Sequence, residues 1–191
     1  MRVRPTSQQP PLSVFTIGHS TQPIEQFIAL LLENDIACLA DVRRYAGSRR
    51  HPQFVREALE VSVRSAGIEY VWLPELGGRR APRKDSRNTG WRNEGFRGYA
   101  DYMETEAFQL GITRLCALAQ EEPTAFMCAE RAWQQCHRGL IADYLKADGW
   151  QVVHVLGPGR TQVHPYTEPA RIVNGRLSYA PEDPGQGKLG L

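Results

Sequence analysis

Five short apolar runs, spaced so that segments of helical periodicity fit between them, constrain the fold of this chain more than any other feature. Residues 14–18 (VFTIG), 37–42 (ACLADV), 69–73 (EYVWL), 124–127 (TAFM) and 151–156 (QVVHVL) are apolar, rich in β-branched and aromatic side chains, and of buried-strand length. Between them, Ile24, Phe27, Ile28, Leu31 and Leu32 recur at helical spacing, after Ser20 or Thr21 as a cap and Pro23 as a start. Residues 54–66 form a second amphipathic segment closed by Gly67, residues 99–120 are helical in character with a break near Thr105, and residues 133–146 form a helix before Gly149. Strands alternating with helices predict a parallel sheet covered on both faces.

The expected fold class is therefore a single doubly wound, Rossmann-like α/β domain with a mostly parallel five-stranded sheet over residues 14–181, between tails at 1–13 and 182–191. At 191 residues the chain can bury one sizeable core. Residues 77–98 (GGRRAPRKDSRNTGWRNEGFRG) lack sustained periodicity and predict a long Arg-rich surface loop, a candidate lid or binding loop. Beyond Gly157 only weak strand signals at 171–173 and 177–179 remain, predicting a C-terminal arm or small hairpin.

No apolar run approaches the roughly 18 residues of a membrane span, and the first eleven residues lack a secretory apolar region, so the expected location is the cytoplasm, without membrane contact. Cys38, Cys116, Cys128 and Cys136 form no CxxC pair and are expected to remain thiols there.

The net charge of +2 hides an asymmetry: residues 43–97 hold thirteen Lys or Arg against six Asp or Glu, a local +7 that leaves −5 elsewhere. Such an excess suits an anionic ligand, a nucleotide or nucleic acid, although dispersed surface arginines are also common without one. Arg43, Arg49, Arg50, Arg79, Arg80 and Arg138 are the candidate anion-binding residues, with Trp91 and its aromatic neighbours available for stacking. No GxGxxG or Walker sequence is present, and no cofactor is predicted.

In open α/β sheets ligands bind outside the carboxyl ends of the strands. That rule selects His19 and Ser20 after the first strand, Asp41 and Arg43 at the second, Glu75, Gly77 and Gly78 after the third, Cys128 and Glu130 at the fourth, and His154 in the fifth. Cys128 is the sharpest nucleophile candidate, since a thiol facing a helix N-terminus ionises more easily, but a buried structural cysteine, common for this residue type, is the reading preferred over thiol chemistry. His19, near Asp41 or Glu130, could serve as a general base, or simply shape its loop. Asp41 with Arg43 could be an internal ion pair. Cys128, Cys136, His137 and His19 offer soft metal ligands, yet neighbours on one helix point about 100° apart. On that ground no metal is predicted; Cys136 is expected to pack on the sheet, leaving His137 or Arg138 to reach the strand ends.

These strand-end residues also carry a family resemblance. FTIGHS at 15–20, DVRR at 41–44, SRRHPQF at 48–54, YVWLPELGGRR at 70–80, DSRNTGWRNEGFRGYADYM at 85–103, MCAE at 127–130, CHRGLIADYL at 136–145 and VVHV at 152–155 occur in this order. Together they resemble the domain of unknown function 488 family over residues 15–181. The resemblance implies a single Rossmann-like domain in bacterial cytoplasm, with no established reaction. Where the family often carries Asp-Pro or Val-Pro between the CAE and CHR elements, this chain has Arg131, Ala132 and Trp133.

The leading functional expectation is an enzyme acting on a phosphate-bearing substrate, with arginines holding the anion, His19 or Glu130 moving protons, and Cys128 as nucleophile or pocket wall. The alternatives are a noncatalytic nucleic-acid-binding module and, more weakly supported, a thiol redox or sulfur-transfer protein.

Overall fold

The structure, a computed structural model, describes residues 12–47 and 50–181. Its main sheet contains β1 (Ser13–Gly18), β2 (Cys38–Asp41), β3 (Glu69–Trp72), β4 (Thr124–Cys128), β5 (Gln151–Gly157) and β6 (Arg160–Val163) in the order β3-β2-β4-β1-β5-β6. The first five strands run parallel; β6 turns back and pairs antiparallel with β5. The sheet thus has six strands, not the expected five. All four residues of β6 are exposed, so no buried alternating face announces this edge strand in the sequence.

Helices α1 (Ile24–Glu33) and α2 (Arg56–Ser65) cover one face, and α3 (Glu94–Tyr102), α4 (Glu106–Glu121) and α5 (Arg138–Ala147) cover the other. Strand side chains alternate between two cores. Ile17, Leu39, Ala125 and Met127 pack with Phe27, Leu31 and Leu59 under α1 and α2. Val14, Ala40, Phe126 and Cys128 pack with Tyr99, Phe108 and Leu140 under the other three helices. This parity decides the site: Cys128 faces α5, whereas Asp41 and His19 face the α1–α2 side. No helix among the described residues is long and apolar enough to cross a membrane.

Three sequence expectations change. The helix expected from residue 133 is a single tight turn, Trp133–Gln135, followed by extended Cys136 and then α5. The long loop ends early because Asn93 caps α3, its side chain accepting from the Phe96 N–H at 3.2 Å. The loop is also tethered: buried Asp101 of α3 accepts from the Arg83 N–H (2.8 Å), the Ser86 hydroxyl (2.6 Å) and the Asn88 amide (2.8 Å). These bonds hold the Arg83–Asn88 stretch to α3, against the lid alternative of the expected lid or binding loop. The helical break near Thr105 is present, with Thr105 capping α4.

The weak C-terminal strands form a separate hairpin, β7 (Arg171–Val173) and β8 (Arg176–Ser178), turned by Asn174 and Gly175 at φ 50° and 75°. Tyr179 after it donates to the buried Asp143 carboxylate of α5 at 2.9 Å, which locks the arm to the domain.

Candidate functional site

A cavity of about 420 Å³ opens at the carboxyl ends of β2 and β4, where the strand order reverses around β4. Cys128, Cys136 and His137 line it on the α5 side; Arg44, Arg79 and Glu130 line its walls. Glu130 is the only acidic residue among those lining residues. The cavity continues into a smaller one past His19, His51 and Arg131, and on its other flank shares Asn93 and Phe96 with a groove lined by Trp91, Trp133 and Tyr166.

The sulfurs of Cys128 and Cys136 and a ring nitrogen of His137 lie within 4.8 Å of one another. Cys128 arrives there by strand parity. Cys136 arrives because the chain between it and Cys128 makes one tight turn and comes back extended before α5 starts. His137, the residue before α5, turns Nδ1 toward the Cys136 sulfur at 3.6 Å. The 100° divergence expected of helical neighbours does not arise, because neither residue is inside the helix. Cys136 therefore belongs to the site and not merely to the sheet packing.

Burial resists ionisation of Cys136, yet its hydrogen bond with Cys128, together with His137 and Arg138, outweighs this and holds its thiol below the usual range. The same bond, with burial, pushes Cys128 well up. The pair thus favours a single shared negative charge. Gly78 makes this packing feasible, because a Cβ there would sit 2.7 Å from His137 Nδ1. Gly78→Ala is expected to cost about 1–3 kcal/mol by overpacking. A urea midpoint unchanged from wild type would contradict that contact.

On the opposite side of the sheet, Asp41 is fully buried and accepts from Arg43 through its backbone N–H (3.0 Å), Nε (2.8 Å) and Nη2 (2.5 Å), and from the Tyr70 hydroxyl at 2.7 Å. Arg43 also donates to the Phe54 carbonyl at 2.7 Å. The internal ion pair is what the structure contains, and Arg43 is not free to hold an anion. His19 stacks on Phe54 at 4.0 Å and donates from Nδ1 to the Ser20 carbonyl at 2.8 Å. That tautomer leaves Nε2 to accept from Arg43 at 3.3 Å. Burial first, then the Arg43 charge, lower the His19 pKa to about 4. Both nitrogens are engaged and no carboxylate among the described residues is hydrogen-bonded to the ring, so the geometry does not favour the expected base role.

Arg138 is 1% exposed and braces the fold: it donates to the Thr16 hydroxyl (2.9 Å) and to the Glu130 (2.6 Å) and Arg131 (3.3 Å) carbonyls. It shapes the loop over β1, its charge also favours the thiolates of Cys128 and Cys136, and its buried Nε has no hydrogen-bond partner among the described residues. Gly18 is required beneath it, since a Cβ there would strike the Glu130 carbonyl and the Arg138 guanidinium. His154 lies away from the cavity, stacked on Trp133 at 4.4 Å. Its Nε2 meets His164 Nδ1 at 2.8 Å, and His164 Nε2 meets the Asp143 carboxylate at 2.9 Å, a wholly buried chain.

Of the other candidates, Glu75 pairs with Arg114 at 2.8 Å, outside the cavity lining. Arg80 lies over the Tyr102 ring at 3.6 Å, and Gly77 packs under Arg44. Ser20 and Trp91 line the neighbouring recesses, Arg50 is exposed, and Arg49 lies outside the described residues. Arg79 does reach the cavity wall, held by a left-handed backbone (φ 61°) that is unusual for a side chain of its size. Phe96, one of the aromatic side chains expected to be available for stacking, lines the cavity, whereas sequence reasoning missed Arg44 and Asn93 as lining residues. Only their place inside the quoted motifs, Arg44 in DVRR and Asn93 in the segment 85–103, could have pointed to them.

No curated protein and no solved structure matches the chain. A family model described as Domain of unknown function DUF488 matches residues 23–145, a span that holds Asp41, Gly78, Cys128, Cys136 and His137. With nearly two thirds of its length inside that match, the chain belongs to the DUF488 family.

Proposed function

We propose that the cavity at the ends of β2 and β4 is the active site of an enzyme acting on a phosphate-bearing substrate, a nucleotide or nucleic acid. One observation carries the reading: two thiols and an imidazole converge on a cavity whose walls carry the exposed arginines Arg44 and Arg79. Arg44 and Arg79 hold the anion, the Cys128–Cys136–His137 cluster meets the reacting group, and Glu130 carries the proton. Trp91, Trp133 and Tyr166 in the adjoining groove offer flat surfaces on which a base can stack. Arg43 also lines the cavity, but its guanidinium is committed to Asp41 and the Phe54 carbonyl, while Arg138, engaged inside the fold, shapes the site.

The test is equilibrium binding of nucleoside triphosphates and short oligonucleotides at low salt. Arg79→Ala is expected to weaken binding about 10- to 100-fold, the value of one charge-assisted contact. Wild-type protein that binds none of these probes, or an Arg79→Ala variant that binds equally well, would overturn the assignment. A steep salt dependence without turnover would instead favour the noncatalytic nucleic-acid module. The convergence of Cys128 and Cys136 favours a second reading, dithiol redox chemistry. It predicts that mild oxidation removes two hydrogens from the chain and links these two residues, which peptide mapping would detect.

A further inference from the structure

We propose that Cys128, Cys136 and His137 form a metal site of the zinc class, with three protein ligands and a fourth position open to the cavity. The proposal deepens the active-site reading and rests on it for the metal's role, though not for the binding.

The geometry fits. With Zn–S near 2.3 Å and Zn–N near 2.0–2.1 Å, a tetrahedral site has S···N edges of about 3.6 Å and S···S edges of about 3.8 Å. Cys136 Sγ and His137 Nδ1 stand 3.6 Å apart, and the three ligand atoms all lie within 4.8 Å of one another. Closing the group around one ion therefore needs side-chain adjustments of an ångström or less. The burial fits too: Cys128 is 9% and Cys136 4% exposed, so their sulfurs are shielded, yet all three residues line the cavity.

The donor set selects the metal. Two thiolates and an imidazole are soft to borderline ligands, suited to zinc and not to magnesium or calcium. Three ligands with a vacant corner are the pattern of zinc sites that bind water or substrate, whereas purely structural sites use four protein ligands. Charge is compatible as well. Two thiolates neutralise a dication; of the nearby guanidiniums, Arg43 is balanced by Asp41, and Arg138 is held by the Thr16 hydroxyl and the Glu130 and Arg131 carbonyls.

The ring orientation follows from the packing around His137. Nδ1 of His137 is turned to the sulfurs, while the buried Nε2 has no hydrogen-bond partner among the described residues. Gly78 is the residue that leaves room for this orientation. The ring is thus placed by packing with Nδ1 on the side of the Cys136 sulfur, and ligation uses the tautomer that carries its proton on Nε2.

Cobalt reports on such a site directly. The full chain, reduced, stripped of metal with a chelator and kept free of oxygen, is titrated with Co²⁺. The expected result is one equivalent bound, with thiolate-to-cobalt charge-transfer absorption and the intense visible bands of tetrahedral cobalt, all abolished by added Zn²⁺. Cys136→Ser and His137→Ala are expected to weaken binding by about 100-fold or more. Cys38→Ser, at the opposite end of β2, is expected to leave it unchanged. Because a serine variant can fail to fold, the wild type carries a second measurement: Zn²⁺ should protect Cys128 and Cys136 from alkylation, mapped by peptide, while Cys116 reacts as before. A weak octahedral cobalt spectrum, bands that persist in Cys136→Ser, or thiols that Zn²⁺ does not protect would overturn the proposal. Nucleotide binding to the metal-free chain, scored through Arg79→Ala, reads the active-site proposal separately, so the two can fail independently.

Discussion

Asp41→Ala is expected to lower the unfolding free energy by about 3–5 kcal/mol, the cost of leaving a buried charge without its partner. The Arg43 side chain is 5% exposed, and the Asp41 carboxylate holds it through two of its nitrogens, its backbone N–H and Tyr70 closing the remaining acceptor positions. Removing the carboxylate strands the guanidinium and the Tyr70 hydroxyl together. Urea unfolding checks this through the midpoint, with the slope unchanged if only stability has moved. Exchanging both partners for apolar residues, Asp41→Leu with Arg43→Met, should recover a large part of the loss, since two matched apolar groups leave no unpaired charge. A cost within about 1 kcal/mol for Asp41→Ala would mean that water reaches the pair, and would return Arg43 to the set of available anion ligands.

Acid is expected to destabilise the fold well above the range where carboxylates titrate. Burial first, then His164 and Arg138, depress His154 from 6.5 to about 2, and burial with Arg43 depresses His19 from 6.5 to about 4. Both rings are neutral in the native state, while the unfolded chain protonates them near 6.5, so the unfolded state binds more protons below that pH. Their contribution is therefore complete above about pH 6.5 and is lost as the pH falls, for His19 down to about 4 and for His154 down to about 2. At about pH 4.5 each ring costs roughly 2.5 kcal/mol, on the order of 5 kcal/mol together. Unfolding free energies measured between about pH 7 and 4.5 should fall along this course, and His154→Gln should remove about 1.4 kcal/mol per pH unit from the slope. A flat profile over that window would show that these histidines are protonated in the folded protein.

The two predictions separate residues that looked alike in the sequence. Asp41, Arg43, His19, Cys128 and Arg138 all stand at or beside strand ends, and the chain order alone makes them neighbours along one rim. The pleat then divides them. His19 and Asp41 point to the α1–α2 side, where Phe54, Tyr70 and Arg43 enclose them. Cys128 points to the α5 side, where Cys136 and His137 wait. Strand parity was legible in principle, since Phe126 and Cys128 share one phase and Ala125 and Met127 the other. What parity cannot show is which helix lies above each face, and therefore which distant residues meet there.

The start of α5 illustrates the limit most clearly. Residues 133–146 carry a helical pattern throughout, and on that pattern Cys136 and His137 diverge. Whether a helix begins at 133 or 138 depends on how Trp133 docks: it stacks on His154 of β5, 21 residues later, and this contact holds the tight turn that precedes extended Cys136. Local propensity is silent on such a contact.

By its own spacing of apolar runs, the sequence determined the parallel α/β sheet, the break at Thr105, the weak C-terminal strands and the family, because periodicity and turn chemistry are local properties that burial enforces. The tertiary structure decided the rest. It placed Arg43 and Arg138 in the interior as braces and brought two cysteines and a histidine to one cavity, because a buried charge must find partners wherever the packing supplies them, at any distance along the chain.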